Sequence, residues 1–177
     1  NWSFGLQSEK FCKSIVGDVI FQEPKYVFVS DFFVNEVAGG AELSLQTLIG
    51  SCPTDHALVK SQEVTAELIN KWNESKWIFG NISRLNLELM PCLVQEDVDY
   101  SFIEFDFKLC KHRNPVLYKF VEGAKCDYPN TGLAAKIKDF MAAAKSVFFM
   151  ANQQKDFYLE NFPDLDSSKM FLLSSLF

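Results

Sequence analysis

Short, nearly continuous apolar runs alternate with segments of helical spacing along most of the chain. The runs predict six strands: Tyr26–Ser30, Ala57–Lys60, Trp77–Gly80, Tyr100–Phe105, Ser146–Met150 and Met170–Leu173. Runs without polar alternation suit strands covered on both faces. Between them, Ala41, Leu45, Leu48 and Ile49 share one helical face, as do Val64, Leu68 and Trp72. Ile82, Leu85 and Leu89 make a third stripe. Leu133, Ile137, Phe140, Met141 and Ala144 make a fourth, with Thr131 as its cap. Asn152–Phe162 is a fifth helical segment, stopped by Pro163. Asp106–Gly132 is long and poor in regular pattern, so it is expected to be a loop.

Strand–helix alternation implies βαβ units. The expected fold is α/β: a Rossmann-like, doubly wound, mostly parallel sheet of about six strands with helices on both faces. Ligands of such sheets bind beyond the carboxyl ends of the strands, near the switch point of strand order. The stretch 25–49 then carries most information. A buried strand leads through Ser30-Asp31-Phe32-Phe33 to Gly39-Gly40, and a helix opens at Ala41-Glu42. Free N–H groups and the helix dipole at such a turn favour phosphate, and glycines permit close approach. Neither G-x-G-x-x-G nor G-x-x-x-x-G-K-[ST] is present, so the glycines also suit a plain strand–turn–helix junction.

Other candidate chemistry clusters after the fourth strand. Glu104, Asp106 and Lys108 alternate with aromatics, so an extended chain puts them on one side. Two carboxylates and an ammonium suit acid–base work or sugar-hydroxyl recognition, or else a solvated ionic face. Arg113 offers a fork for phosphate or carboxylate, or a surface ion pair. Asn81, after the third strand, suits either a ligand hydrogen bond or a helix cap. Cys110, His112 and Cys126 match no standard zinc spacing, and His56 is too remote to complete them. No metal is expected. His56 is read as structural, because a Ser-His-Asp hydrolase would need a G-x-S-x-G elbow that is absent.

At 177 residues and 48% hydrophobic, the chain has the size and composition of one folded domain. It holds 18 Phe, and Arg only at 84 and 113. A net charge of −6 argues against a general nucleic-acid binder. No apolar run reaches the length of a membrane span. Cys12, Cys52, Cys92, Cys110 and Cys126 are odd in number and irregular in spacing, which suits reduced thiols and a cytoplasmic location. The sequons at Asn1, Asn73 and Asn81 are then coincidental. Residues 1–24 begin without Met or a signal-peptide layout and are expected to be an extension, the chain being a fragment or trimmed.

The strand Tyr26–Ser30, the turn Gly39-Gly40-Ala41-Glu42 and the helix Leu43–Ile49 resemble the start of family-4-like glycosyltransferases of the GT-B fold. Trp77–Asn81, Glu104–Lys108 with Cys110 and Arg113–Pro115, Ser146–Met150 before Gln153, and Lys169–Phe177 fit in the same order. The resemblance covers about residues 25–177. It implies sugar transfer from a nucleotide-sugar to a glycan, lipid or other acceptor, between two Rossmann-like domains. This chain would be the N-terminal, acceptor-side domain, ending near the inter-domain linker and lacking the C-terminal donor domain. Alone it would bind donor weakly and be inactive. Gly39 and Gly40 would be backbone donors to the donor phosphates. Glu42 would favour the helix start but repel phosphate. Glu104 and Asp106 would be catalytic candidates, and Asn81, Lys108 and Arg113 acceptor or cleft residues. Members often carry a histidine near the fourth strand's edge, where this chain has carboxylates. No metal or other cofactor is implied. The competing expectations are a non-catalytic nucleotide- or partner-binding module, and a small doubly wound enzyme such as a hydrolase.

Overall fold

The computed structural model describes residues 23–126 and 130–173. Cys12, Asp127, nearly all of the expected N-terminal extension and the last four residues lie outside them. Six strands form one parallel sheet: β1 (Tyr26–Ser30), β2 (His56–Lys60), β3 (Lys76–Phe79), β4 (Tyr100–Glu104), β5 (Ser146–Phe149) and β6 (Met170–Leu172). The spatial order is β2-β1-β3-β4-β5-β6, so it reverses between β1 and β3. The fold is Rossmann-like α/β, and each strand lies within a residue of its expected bounds.

The helices are α1 (Gly40–Ser51), α2 (Ala66–Lys71), α3 (Met90–Gln95), α4 (Pro115–Glu122), α5 (Gly132–Ala143) and α6 (Asn152–Asn161). They divide unequally between the faces. Ile69 of α2, Leu93 of α3, Ile137 of α5 and Tyr158 of α6 join Val27, Trp77, Phe79, Phe102 and Phe149 in the larger core. Much of the phenylalanine excess is spent here. Phe140 stacks on Tyr100 at 4.7 Å and meets Phe79 edge-on at 5.2 Å. The Tyr100 hydroxyl donates to the Phe140 carbonyl at 2.6 Å, and burial pushes that hydroxyl's pKa up. On the opposite face Leu45 and Ile49 of α1 pack with Phe28, Phe33 and Ile103. An apolar groove of about 350 Å³ beside them is lined by Tyr26, Phe28, Leu48, Ile78, Ile103 and Phe148, among others.

Two expectations need correction. Residues 82–86 are not helical, although Ile82 and Leu85 are buried. The Asp31 carboxylate accepts from the Ser83 and Arg84 N–H groups at 2.9 and 3.0 Å, which holds this backbone as a turn. Only then does a short 3₁₀ turn (Leu87–Leu89) lead into α3, with Pro91 in its first turn. Asp106–Gly132 is not simply a loop, because it contains α4. Asn114 caps that helix through Val116 N and Leu117 N at 2.9 and 3.1 Å, Pro115 opens it, and Gly123 ends it at φ +68°. Thr131 does cap α5, accepting from Ala134 N at 3.1 Å. Val64 lies just ahead of α2, which Thr65 caps.

Candidate functional site at the carboxyl edge of the sheet

The carboxyl ends of β1 and β3 are pinned together where the strand order reverses. Gly80 N donates to Val29 O at 2.9 Å and Asp31 N to Asn81 O at 2.7 Å. A Cβ at Gly80 would sit tightly against the side chains of Phe105 at 3.3 Å and Leu45 at 3.4 Å. Asp31 is the hub of this edge. Besides Ser83 N and Arg84 N, it accepts from the Ser61 hydroxyl at the end of β2. Burial raises its pKa, but the bonds from Ser61, Arg84 and Ser83 outweigh that and hold it below the usual aspartate value. One carboxylate thus ties the ends of β1, β2 and β3.

Gly39 is the N-cap of α1 and offers no side chain to its first turn. The space beside it is taken by Glu42, whose Oε2 would collide with any Cβ at Gly39. The other oxygen, Oε1, accepts from Asn81 Nδ2 at 3.1 Å. Glu42 is buried despite its charge, and it favours the helix dipole from the first turn. Asn81 therefore reaches across to α1 and caps no helix. Donation to Glu42 fixes its amide orientation and leaves Oδ1 buried with no partner among the described residues. The edge thus combines an uncapped helix start, a carboxylate folded over its glycine and an orphan acceptor.

The second cluster follows β4. The strand ends at Glu104, and the chain then turns back instead of remaining extended. Glu104, Asp106 and Lys108 are brought together by that turn, not by strand alternation. Lys108 Nζ reaches Glu104 Oε1 at 3.0 Å and Asp106 Oδ1 at 3.2 Å. The Tyr158 hydroxyl donates to Glu104 Oε2 at 2.6 Å and Asp106 N to Oε1 at 3.2 Å. Gln154 braces the turn from α6, donating to Asp106 O at 3.1 Å and accepting from Met150 N at 3.0 Å. Glu104 has no solvent exposure. Burial pushes its pKa up to about 7, with Asp106 adding to the rise and Lys108 and Tyr158 opposing it. Asp106 is only partly covered and holds exposed Arg113 at 3.1 Å.

Lys108 and Arg113 also line a recess of about 280 Å³ with Ser83, Leu85, Cys110 and Lys111. The recess is a place where a polar group can meet cations next to the β3 end. Asp31 and Tyr158 enter the site from the structure alone, and for Glu42, expected only to favour the helix start, the structure adds the bond to Asn81. The signals available for Asp31 and Glu42 were a carboxylate directly after the first strand and one in the first turn of its helix. Tyr158 lies 54 residues from Glu104, and nothing local announces it.

His56 is exposed at the opposite edge of the sheet, edge-on to Phe28 at 5.7 Å. Among the described residues no group of three or more His, Cys, Asp or Glu side chains is arranged to hold a metal, and no helix is long and apolar enough to cross a membrane. No protein-family model matches the chain, and no curated protein is significantly similar to it.

Proposed function

We propose that the chain is the acceptor-side domain of a nucleotide-sugar-dependent glycosyltransferase of GT-B type. The observation that carries this reading is the link from Asn81 through Glu42 to the Gly39-Gly40 turn at the switch point between β1 and β3. That crevice is where parallel sheets of this kind receive ligands, and the turn is the part of the sequence that most resembles the family. In this reading the first-turn N–H groups of α1 approach the donor diphosphate. Glu42 must swing away or be countered by a cation first, because a carboxylate and a phosphate repel. Once Glu42 swings away, Asn81 Oδ1, which has no partner among the described residues, is free to turn and accept from a substrate hydroxyl. Asp106 is the carboxylate a substrate can reach. Glu104, sealed from solvent, acts through Lys108 as a positioning residue.

The test is nucleoside-diphosphate release from UDP-, GDP- and ADP-sugars by the parent protein, with and without Gly40→Val. Turnover is expected to fall at least 100-fold, about 3 kcal/mol of transition-state stabilisation, while the melting temperature stays within a few degrees. Unchanged turnover sinks the phosphate-turn role. Saturable nucleotide binding without release from any sugar nucleotide assigns the domain to the non-catalytic alternative.

A further inference from the structure

Helix α4 is turned inside out relative to its neighbours. Each of the other five helices buries at least one residue, whereas α4 buries none. Phe120 is 88% exposed, Val116 79%, Val121 57% and Leu117 45%. At positions i, i+1, i+4 and i+5, these four occupy one arc of roughly 140°. Tyr118 on the other side is the foot of the helix. It packs on the larger core and stands edge-on to His112 at 5.5 Å. Single exposed hydrophobics are ordinary, but four on one outward arc of a capped helix are a surface.

The rim of this arc is cationic. Between residues 111 and 125 the exposed ionised side chains are Lys111, Arg113, Lys119, Lys125 and one acid, Glu122. Glu122 is itself engaged, by Lys111 Nζ at 2.8 Å and His112 Nε2 at 2.7 Å. With Asp106, which holds Arg113 at 3.1 Å, counted against it, a local surplus of two positive charges remains in a chain of net charge −6. A recess of about 440 Å³ opens beside Val116, between Lys119 and Lys125.

We propose that α4 docks on an anionic lipid surface, with Val116, Leu117, Phe120 and Val121 entering the headgroup–acyl boundary and Lys119 and Lys125 meeting headgroup phosphates. An apolar arc bordered by lysines is what such a surface selects. Protein partners select differently. Their interface cores are depleted in Lys, and helix-in-groove recognition reads a stripe reaching i+7, longer than the arc of this two-turn helix. The inference stands independently of the proposed activity.

Co-sedimentation of the chain with phosphatidylcholine vesicles, with and without about one third phosphatidylglycerol, tests it at about 0.1 M salt. Binding is expected to the anionic vesicles and to weaken as salt is raised. Val116→Glu/Phe120→Glu is expected to weaken it at least tenfold. Lys119→Glu/Lys125→Glu should do the same, since each cation near such a surface contributes about fivefold. All four side chains are exposed, so both variants should keep the parent's circular dichroism and melting temperature. Absence of binding, or binding untouched by both variants, overturns the proposal. So does sedimentation velocity showing a dimer that Phe120→Glu dissociates, with no vesicle binding, which would assign the arc to a second copy of the chain.

Discussion

Replacing Lys108 by Met removes the cation bonded to Glu104 among the described residues and retains most of the apolar stem. The two charges are 3.0 Å apart, with 4% and 0% side-chain exposure. At an effective dielectric of about 20, that pair attracts by roughly 5 kcal/mol. Removing one partner of a buried pair costs about 3–5 kcal/mol when the other stays charged. The cost must depend on pH. Glu104 has a folded-state pKa of about 7 against an ordinary 4.5, so the native state holds its proton more tightly than the unfolded chain. Wild-type stability should fall as pH rises from about 4.5 to 7, by roughly 3 kcal/mol. Without Lys108 the carboxyl's pKa rises further, and the decline continues to higher pH. The gap between wild type and Lys108→Met is therefore expected to be about 1–2 kcal/mol at pH 5.5, where Glu104 is protonated in both, and up to about 2 kcal/mol wider, roughly 3–4 kcal/mol, at pH 8.5. Urea unfolding at the two pH values, followed by tryptophan fluorescence, measures both. Adding Glu104→Gln to Lys108→Met should recover most of the loss at pH 8.5, because the amide still accepts from Tyr158. A gap equal at both pH values, or below about 1 kcal/mol at pH 8.5, would refute the buried-pair account.

Three further outcomes follow from the same geometry. Asp31→Ala should cost about 2–4 kcal/mol at neutral pH, because Ser83 N, Arg84 N and the Ser61 hydroxyl lose their acceptor. Asp31's pKa is lowered, so its contribution is present above the ordinary value and lost as pH falls through the folded one; the variant should lack that part of the acid-unfolding transition. Gly39→Ala should displace the Glu42 carboxylate and break its bond to Asn81. Adding Glu42→Ala should then cost little more melting temperature, since the bond to Asn81 is already broken, and fully additive losses would remove the steric explanation. Gly123→Ala, at φ +68°, should cost about 1 kcal/mol in urea unfolding.

Strand positions were legible because apolar runs mark a parallel sheet, most fully in β1 and β4, which are buried almost throughout, although Leu58 of β2 and Phe171 and Leu172 of β6 stay exposed. Helix signals held where a cap and a stripe agreed, as at Thr131 and α5. They failed at Ile82 and Leu85, where spacing reported burial but not conformation, because Asp31, more than 50 residues earlier, takes the backbone donors. Helix α4 was missed although Asn114-Pro115 and Gly123 mark its ends and Val116, Leu117, Phe120 and Val121 share one face, because at 8 residues it is a short stripe inside a long stretch otherwise poor in pattern.

The same limit explains the acidic cluster. Period-two alternation grouped Glu104, Asp106 and Lys108 correctly but for the wrong reason, since the strand ends at the first of them. What brings them together is the turn, and what fixes the turn is Gln154 and Tyr158 from α6. Exposure then separates the two carboxylates. Glu104 is sealed from solvent and paired with buried Lys108, whereas Asp106 keeps contact with solvent and with Arg113. A residue pattern can nominate such a pair, but only the packing of a distant helix decides which member a substrate can touch.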